Sequence, residues 1–345
     1  MKFKRSILSL FLAAAMLFSS ACGSAGGSNN ITGTGEGSGI EEPIARSGFY
    51  VDGTSLYDIN GKQFIMRGIN HPHSWFKDQL ETAIPAIAAT GANTVRVVLS
   101  DGQQYTKDTS EDIDKIIDIC KKNKMICILE VHDITGKDET DGLKKTTEYW
   151  LEMKDSLSGN EAYVILNIAN EWMGSWEKDN VWYEGYSQSV KTLRDAGIKN
   201  TLIIDTSGWG QNANPIGTYG ERLLNEDPYK NIVFSIHMYG TAGKNSRVIS
   251  SNIKKGTDKN LCVIIGEFGY NHSDGDVDEG YIMQYCTENK IGYLGWSWKG
   301  NGGGVEYLDI AEDWEGKVLS ADWGENLING VNGIKETSKV CSVFE

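Results

Sequence analysis

The sequence predicts an α/β fold, a single (β/α)8 TIM barrel with an N-terminal β-hairpin. Three observations carry this. Eight short apolar runs rich in Val, Ile and aromatic residues recur along the chain, as buried parallel strands require. Amphipathic stretches fill the gaps between them. The span 64–344 divides into eight units of about 35 residues, the size of a barrel folded as one domain. A doubly wound open sheet is the alternative. It is disfavoured because no Gly-rich dinucleotide fingerprint follows the first run.

In chain order, residues 49–63 (FYVDGTSLYDINGKQ) carry turn signals at Asp52-Gly53 and Asn60-Gly61 and read as a hairpin closing the barrel bottom. Strands are expected at 64–70, 94–100, 125–133, 163–172, 201–209, 232–240, 262–269 and 292–299. Helices are expected at 78–90, 110–124, 143–157, 181–196, 246–255 and 277–288, with a short one near 219–226 and a last one within 325–340. The helix at 110–124 is the clearest. Ile113, Ile116, Ile117 and Cys120 fall on one face, and Thr109 with Asp112 supplies a capping pair. No internal domain boundary is visible between 48 and 345.

Composition removes whole classes of function. Hydrophobic residues make up 40% and charged residues 23%, which excludes a wholly disordered or fibrous chain. The one long apolar run is N-terminal, so a multi-span membrane protein is excluded too. Lys and Arg total 33 against 47 Asp and Glu, a net charge of −14. Binding nucleic acid requires positive charge to displace counterions, so no nucleic-acid partner is expected.

Lys2, Lys4 and Arg5, an apolar stretch at 6–18, and small residues at 19–21 form the three parts of a secretory signal peptide over 1–21. Cys22 follows Ser-Ser-Ala and precedes Gly, which resembles a bacterial lipoprotein signal whose Cys is lipidated. Ordinary cleavage near Ala21 remains the alternative, since Ser19 stands where that pattern usually has Leu. Residues 22–47 are rich in Gly, Ser, Thr and Asn and read as a flexible tether. An extracellular protein, free or held to the membrane through Cys22, is therefore expected. The other cysteines are 120, 127, 262, 286 and 341, an odd number without a CxxC, so neither a disulfide framework nor a zinc site is indicated. Cys120 and Cys127 can pair only if the fold brings them together.

In such a barrel, functional side chains sit at the C-terminal ends of the strands. Polar residues gather there: Asn70-His71, Arg96, His132-Asp133, Asn170-Glu171-Trp172, His237-Met238-Tyr239, Glu267, Trp296 and Trp298. Polar side chains in apolar strands are costly unless paired, so stability alone explains this series poorly. Glu171 and Glu267 stand three barrel units apart. Two carboxyl groups ~5–5.5 Å apart are what glycoside hydrolysis with retention needs, one as nucleophile and one as acid/base. The alternative is that each forms a buried ion pair with Arg96 or a His. Arg96 and Tyr239 suit the task of orienting Glu267, Asn170 that of bonding a sugar hydroxyl, and His132 and His237 that of binding hydroxyls or tuning the acid. Trp296 suits the floor under a sugar ring. Trp75, Trp172, Trp176 and Trp209 fall in loops and are candidate platforms further along a cleft.

A metal centre built on His71, His73, His132 and His237 is the rival chemistry. It is disfavoured because such barrels also want a His ending strand five and an Asp ending strand eight, so no metal is expected. Asp274, Asp276 and Asp278 lack the Gly and the final Glu of a calcium loop and read as an acidic helix start.

The stretches GFYVDGTSLYD, MRGINHPHSWF, GANTVRVVLSDG, LEVHD, NIANEW, GWGQ, FSIHMYG, IIGEFG and LGWSWKGNG together resemble glycoside hydrolase family 5, most closely its secreted bacterial endo-β-1,4-mannanases. The resemblance runs from about Gly48 to Phe344. One departure is Trp172, where many members have Pro, and the mannanase-like branch tolerates Trp there. The resemblance implies a retaining hydrolase of β-mannan polysaccharide that needs no cofactor, with Glu171 as acid/base and Glu267 as nucleophile. It also implies that Arg96, His132, Asn170, His237, Tyr239 and Trp296 occupy the family's other active-site positions. An endo-β-1,4-glucanase is the runner-up, and a non-catalytic surface glycan-binding protein the alternative of another class. A monomer is expected.

Overall fold

The computed structural model describes residues 46–345. Residues 1–45, which hold the expected export signal, Cys22 and nearly all of the tether, lie outside the described residues. Eight parallel strands close a barrel: β1 (Arg67–His71), β2 (Thr94–Leu99), β3 (Ile126–Val131), β4 (Val164–Asn167), β5 (Leu202–Asp205), β6 (Ile232–Met238), β7 (Val263–Phe268) and β8 (Gly292–Gly295). β8 pairs with both β7 and β1, which closes the ring. The connecting helices are α1 (Leu80–Ala89), α2 (Ser110–Lys122), α3 (Thr140–Glu152), α4 (Asp179–Asp195), α5 (Asn214–Glu226), α6 (Ser246–Thr257), α7 (Glu279–Glu288) and α8 (Gly324–Asn329). Thr109 caps α2 in the expected reciprocal box with Asp112.

Three boundaries differ from expectation, each for a local reason. The apolar run 163–172 is strand only to Asn167, where its pairing with β5 ends. Glu171 has φ 44°, which no strand accommodates. The helix after β5 is a full 13 residues, because Pro215 opens its first turn rather than breaking it. The last helix is two short pieces, Gly324–Asn329 and Ile334–Thr337, separated by Gly330 and Gly333.

Alternate residues of the strands face opposite ways. One set packs against the surrounding helices: Val95, Val97 and Leu99 of β2, with Cys127, Leu129 and Val131 of β3. The other set fills the lumen. Ile126, Ile128, Ile165, Ile203, Val233 and Leu294 form its lower part. Phe49, Leu56 and Phe64 join that cluster, so the hairpin (Tyr50–Asp52 with Ser55–Tyr57) plugs the bottom as expected. Above them the lumen turns polar, with Asn70, Arg96, Glu130, Asn167, Asp205, His237 and Glu267 all buried. The five described cysteines are buried free thiols.

β7 carries one extra residue against both neighbours. Ile236 and His237 of β6 pair with Ile265 and Glu267, and Tyr293 and Gly295 of β8 pair with Ile265 and Phe268. The insertion is Gly266, a β-bulge that turns Glu267 into the lumen, whereas strict alternation would put it on the same outward face as Ile265. A Cβ on Gly266 would lie 2.2 Å from Ser235 Oγ, so any larger residue would have to displace that buried hydroxyl. Gly266→Ala is expected to cost about 1–3 kcal/mol of stability by overpacking and to lower activity through Glu267. Chemical denaturation checks this, and unchanged stability would contradict it.

Candidate active site

Arg96 reaches the top of the lumen from the middle of β2, and its guanidinium uses all five donors. Nε donates to Asn167 Oδ1 (2.9 Å), Nη1 to Asn70 Oδ1 (3.0 Å) and Glu267 Oε1 (2.8 Å), and Nη2 to Asn170 Oδ1 (2.6 Å) and Asp205 Oδ2 (3.3 Å). Glu130 stands 3.6 Å from Nη1. One buried cation thus orients Glu267 from one side, and Tyr239 donates to its Oε2 at 2.8 Å from the other. Burial and the charge of Glu267 push the Tyr239 hydroxyl pKa up, so it remains a donor.

Glu171 sits in the turn after β4. Its backbone N–H donates to Asp205 Oδ2 (3.1 Å), its carbonyl accepts from Gly136 N–H (3.1 Å), and its Oε1 lies 2.7 Å from His237 Nδ1. Burial holds Glu171 above the usual carboxylate range, with the charge of Glu267 adding to it and His237 opposing it. Burial opposes a charge on His237, but Glu267 and Asp205, with Glu171, outweigh it and push its pKa up to about 10. A carboxyl oxygen of Glu171, one of Glu267 and a ring nitrogen of His237 all lie within 4.8 Å of one another. Arg96, Tyr239 and the Glu171–His237 contact already engage these donors. The pair of carboxyls has the close spacing of retention, well short of the ~6.5–9.5 Å that leaves room for an inverting water.

The carboxyls open into a cleft of about 530 Å³. Trp296, directly after β8, lies at one end, its ring stacked on His132 with centroids 5.6 Å apart, and His132 Nδ1 is 3.0 Å from Glu130. Asn170 bridges the centre: while Oδ1 accepts from Arg96, Nδ2 donates to Thr135 (2.9 Å) and lies 3.3 Å from His132 Nε2. Trp176 and Trp209, 45% and 50% exposed, also line the cleft. Trp209 has φ 57° between Gly208 at 63° and Gly210 at 68°, and its ring covers Gly136, where a Cβ would come within 2.2 Å. A bulky residue held in this region is uncommon and marks a fixed presentation.

The structure brings together all eight residues singled out from sequence: Arg96, His132, Asn170, Glu171, His237, Tyr239, Glu267 and Trp296. It corrects one of the platforms. Trp172 is fully buried, its indole packed over Gly185 and bonded to Glu139 O (3.2 Å), so it belongs to the core. Trp75, 37% exposed, does flank the cleft by its edge contact with His132 at 5.1 Å. His71 and His73 are buried among Trp314 and Asp108 and do not meet His132 or His237. Asp278 caps α7, whereas Asp274 accepts from Gly240 and Thr241 N–H and pairs with His272 (2.9 Å), building one wall of the cleft. Sequence reasoning missed Asp205, Asn167 and Glu130. Their signal was present in Asp205, a polar side chain within the fifth run.

Comparison with known proteins agrees with this geometry. A model of the family described as Cellulase (glycosyl hydrolase family 5) matches residues 57–302. A mannan endo-1,4-beta-mannosidase of Salipaludibacillus agaradhaerens is 51% identical over 298 residues, covering 86% of this chain and 96% of that one. One of Cellvibrio japonicus is 39% identical, covering 87% and 70%. The solved beta-mannanase from Thermomonospora fusca superposes with a TM-score of 0.82 at 42% identity, over 86% of this chain and 99% of that one, and it has also been solved as a mannohexaose complex.

Proposed function

The chain belongs to glycosyl hydrolase family 5, and from that premise we propose that it is a retaining endo-β-1,4-mannanase, cleaving internal β-1,4-mannosidic bonds of mannan, glucomannan and galactomannan. The observation that carries the reading is the close pair of carboxyls, Glu171 and Glu267, in a chain that matches a mannan endo-1,4-beta-mannosidase over 96% of its length and a solved beta-mannanase over 99% of its length. In the first step Glu267, oriented by Arg96 and Tyr239, attacks the anomeric carbon. Glu171 delivers its proton to the leaving oxygen. In the second step Glu171 takes a proton from water, which releases the glycosyl group from Glu267. Glu171 needs a raised pKa to begin as an acid, and its burial favours that. Trp296 provides the floor for the sugar being cleaved, His132 and Asn170 line the cleft where its hydroxyls would lie, and Trp176 and Trp209 in the same cleft offer faces to further sugars of the chain.

Mannose carries an axial 2-hydroxyl beside the reaction centre. Contacts at that hydroxyl strengthen in the transition state, and the wrong epimer leaves buried polar groups unpaired. An acidic protein suits a neutral polysaccharide and needs no charged substrate. Reducing-sugar assays over galactomannan, glucomannan, carboxymethyl-cellulose and xylan test the reading. The expected result is endo-cleavage of the mannans with little activity on carboxymethyl-cellulose. Equal or greater activity on carboxymethyl-cellulose would replace it with the glucanase reading, and no activity on any would favour a glycan-binding protein.

We further infer that the protein acts outside the cytoplasm as a monomer, tethered to the membrane through Cys22 with the Gly-rich stretch as spacer. The basic, apolar and small segments preceding Cys22 support this. The full-length protein is expected to partition with membranes, and Cys22→Ala to release it or trap its precursor. A wild-type protein wholly in the medium with no lipid mass would overturn the tether.

A further inference from the structure

Asp205 is fully buried at the end of β5 and has no part in the two-step scheme. Its carboxylate nevertheless contacts Glu171 and the groups that orient the carboxyl pair. Oδ2 accepts from Glu171 N–H (3.1 Å) and Arg96 Nη2 (3.3 Å) and lies 3.5 Å from His237 Nε2, while Oδ1 accepts from Asn167 Nδ2 (3.3 Å). It therefore touches the main chain of Glu171 directly and its side chain through one intervening imidazole.

That imidazole faces carboxylates on both edges. Nε2 lies 3.5 Å from Asp205 Oδ2 on β5, and Nδ1 lies 2.7 Å from Glu171 Oε1 in the turn after β4 and 3.5 Å from Glu267 Oε2 on β7. Arg96 is the other cation of this cluster, bonded to Asp205 and Glu267. Gly210 and Gly266 pack against the ring so closely that a Cβ on either would approach it within 2.7 and 3.2 Å, which fixes its plane. Nε2 has no hydrogen-bond partner within reach of standard geometry, and a lone pair there, 3.5 Å from the Asp205 carboxylate, would be repelled, which favours a proton on Nε2. A bare Nδ1 would accept the proton of Glu171 and take it out of play. A protonated Nδ1 instead donates to Oε1 and leaves Oε2 as the atom that carries the acid proton toward the leaving oxygen.

We propose that Asp205 is a positioning residue for the acid/base: it pins the left-handed backbone of Glu171 and holds His237 as the donor to Glu171 Oε1, so that the transferable proton resides on Oε2. The carboxylates around His237 push its pKa up to about 10, which agrees with an imidazolium at working pH. Burial works to raise the Asp205 pKa, but His237 and Arg96 outweigh it and hold the group well below the usual range, so it remains an anion there. The inference rests on the reading of Glu171 as acid/base.

The test is a leaving-group comparison on the full-length enzyme. For wild type and Asp205→Asn, kcat/KM is measured on mannopentaose, whose leaving sugar needs a proton, and on a dinitrophenyl β-mannobioside, whose leaving group needs none. General acid catalysis contributes ~10²–10⁴-fold, so Asp205→Asn is expected to lose at least about tenfold more on mannopentaose than on the aryl substrate. Equal losses on both, or no loss on either, would overturn the proposal. Glu171→Ala serves as control. If it too shows no split, the acid/base assignment itself fails; if it does and Asp205→Asn does not, only the role of Asp205 fails. Should Asp205→Asn not fold, the wild-type protein still decides the matter through ¹⁵N-histidine NMR, with the His237 signal assigned by its loss in His237→Gln. Both ring nitrogens of His237 protonated at pH 8 is the expected result, and a neutral ring at pH 7 overturns the proposal.

Discussion

A single buried guanidinium organises the upper half of the barrel lumen. Four carboxyl groups, Glu130, Glu171, Asp205 and Glu267, lie close together in a space sealed from below by apolar side chains. Left to themselves, like charges this near would neutralise by taking up protons. Arg96 sits among them with five hydrogen bonds, two of them to carboxylates. No lysine could replace it, because an ammonium offers three donors from one point and cannot span Asn70, Asn167, Asn170, Asp205 and Glu267 at once. The imidazole of His237 completes the balance on the far side. Glu267 accepts from Arg96 and Tyr239, while burial raises the pKa of Glu171 against the opposing pull of His237.

The backbone bends to serve this arrangement at several points. The bulge at Gly266 aims Glu267, and the left-handed turn at Glu171 brings a residue four positions past the end of β4 back over the lumen. The three consecutive left-handed residues at 208–210 present Trp209 at the rim while Gly210 O accepts the His237 N–H at 2.7 Å. The loops after β3, β4 and β5 are joined beneath it, Gly136 N–H to Glu171 O and Gly208 N–H to Met173 O (2.8 Å). The rigid barrel thus fixes the carboxyl pair, and the loops sewn onto it fix the tryptophans at the rim.

Much of this was legible in the sequence, because buried parallel strands leave an unmistakable record of Val and Ile runs and the fold places function at one end of them. Glu171, Glu267 and the six residues around them were found by asking which polar side chains end those runs. Asp205 answers the same description, but it is followed by four more residues of the fifth run, 201–209, so its place at the end of the paired strand shows only in the fold. The bulge was not legible, since Gly266 within IIGEF reads like any strand glycine until its pairing on both sides is known. The end of β4 was hidden because Ile168 and Ala169 remain apolar for packing after the ladder stops. The four loop tryptophans read alike in sequence. Only the path of the chain decides that Trp172 turns inward over Gly185 while Trp75, Trp176 and Trp209 reach solvent.

The central claim is that Glu267 forms a covalent bond with the sugar and Glu171 does not. A 2-deoxy-2-fluoro-mannobiosyl fluoride slows both steps and carries a leaving group that needs little acid help, so the glycosyl-enzyme accumulates. Peptide mapping of the inactivated protein by mass spectrometry reads the site directly. The account predicts one adduct per chain, on the peptide containing Glu267 and abolished in Glu267→Ala. An adduct on Glu171 or elsewhere, or rapid turnover to a product of inverted configuration, would contradict it.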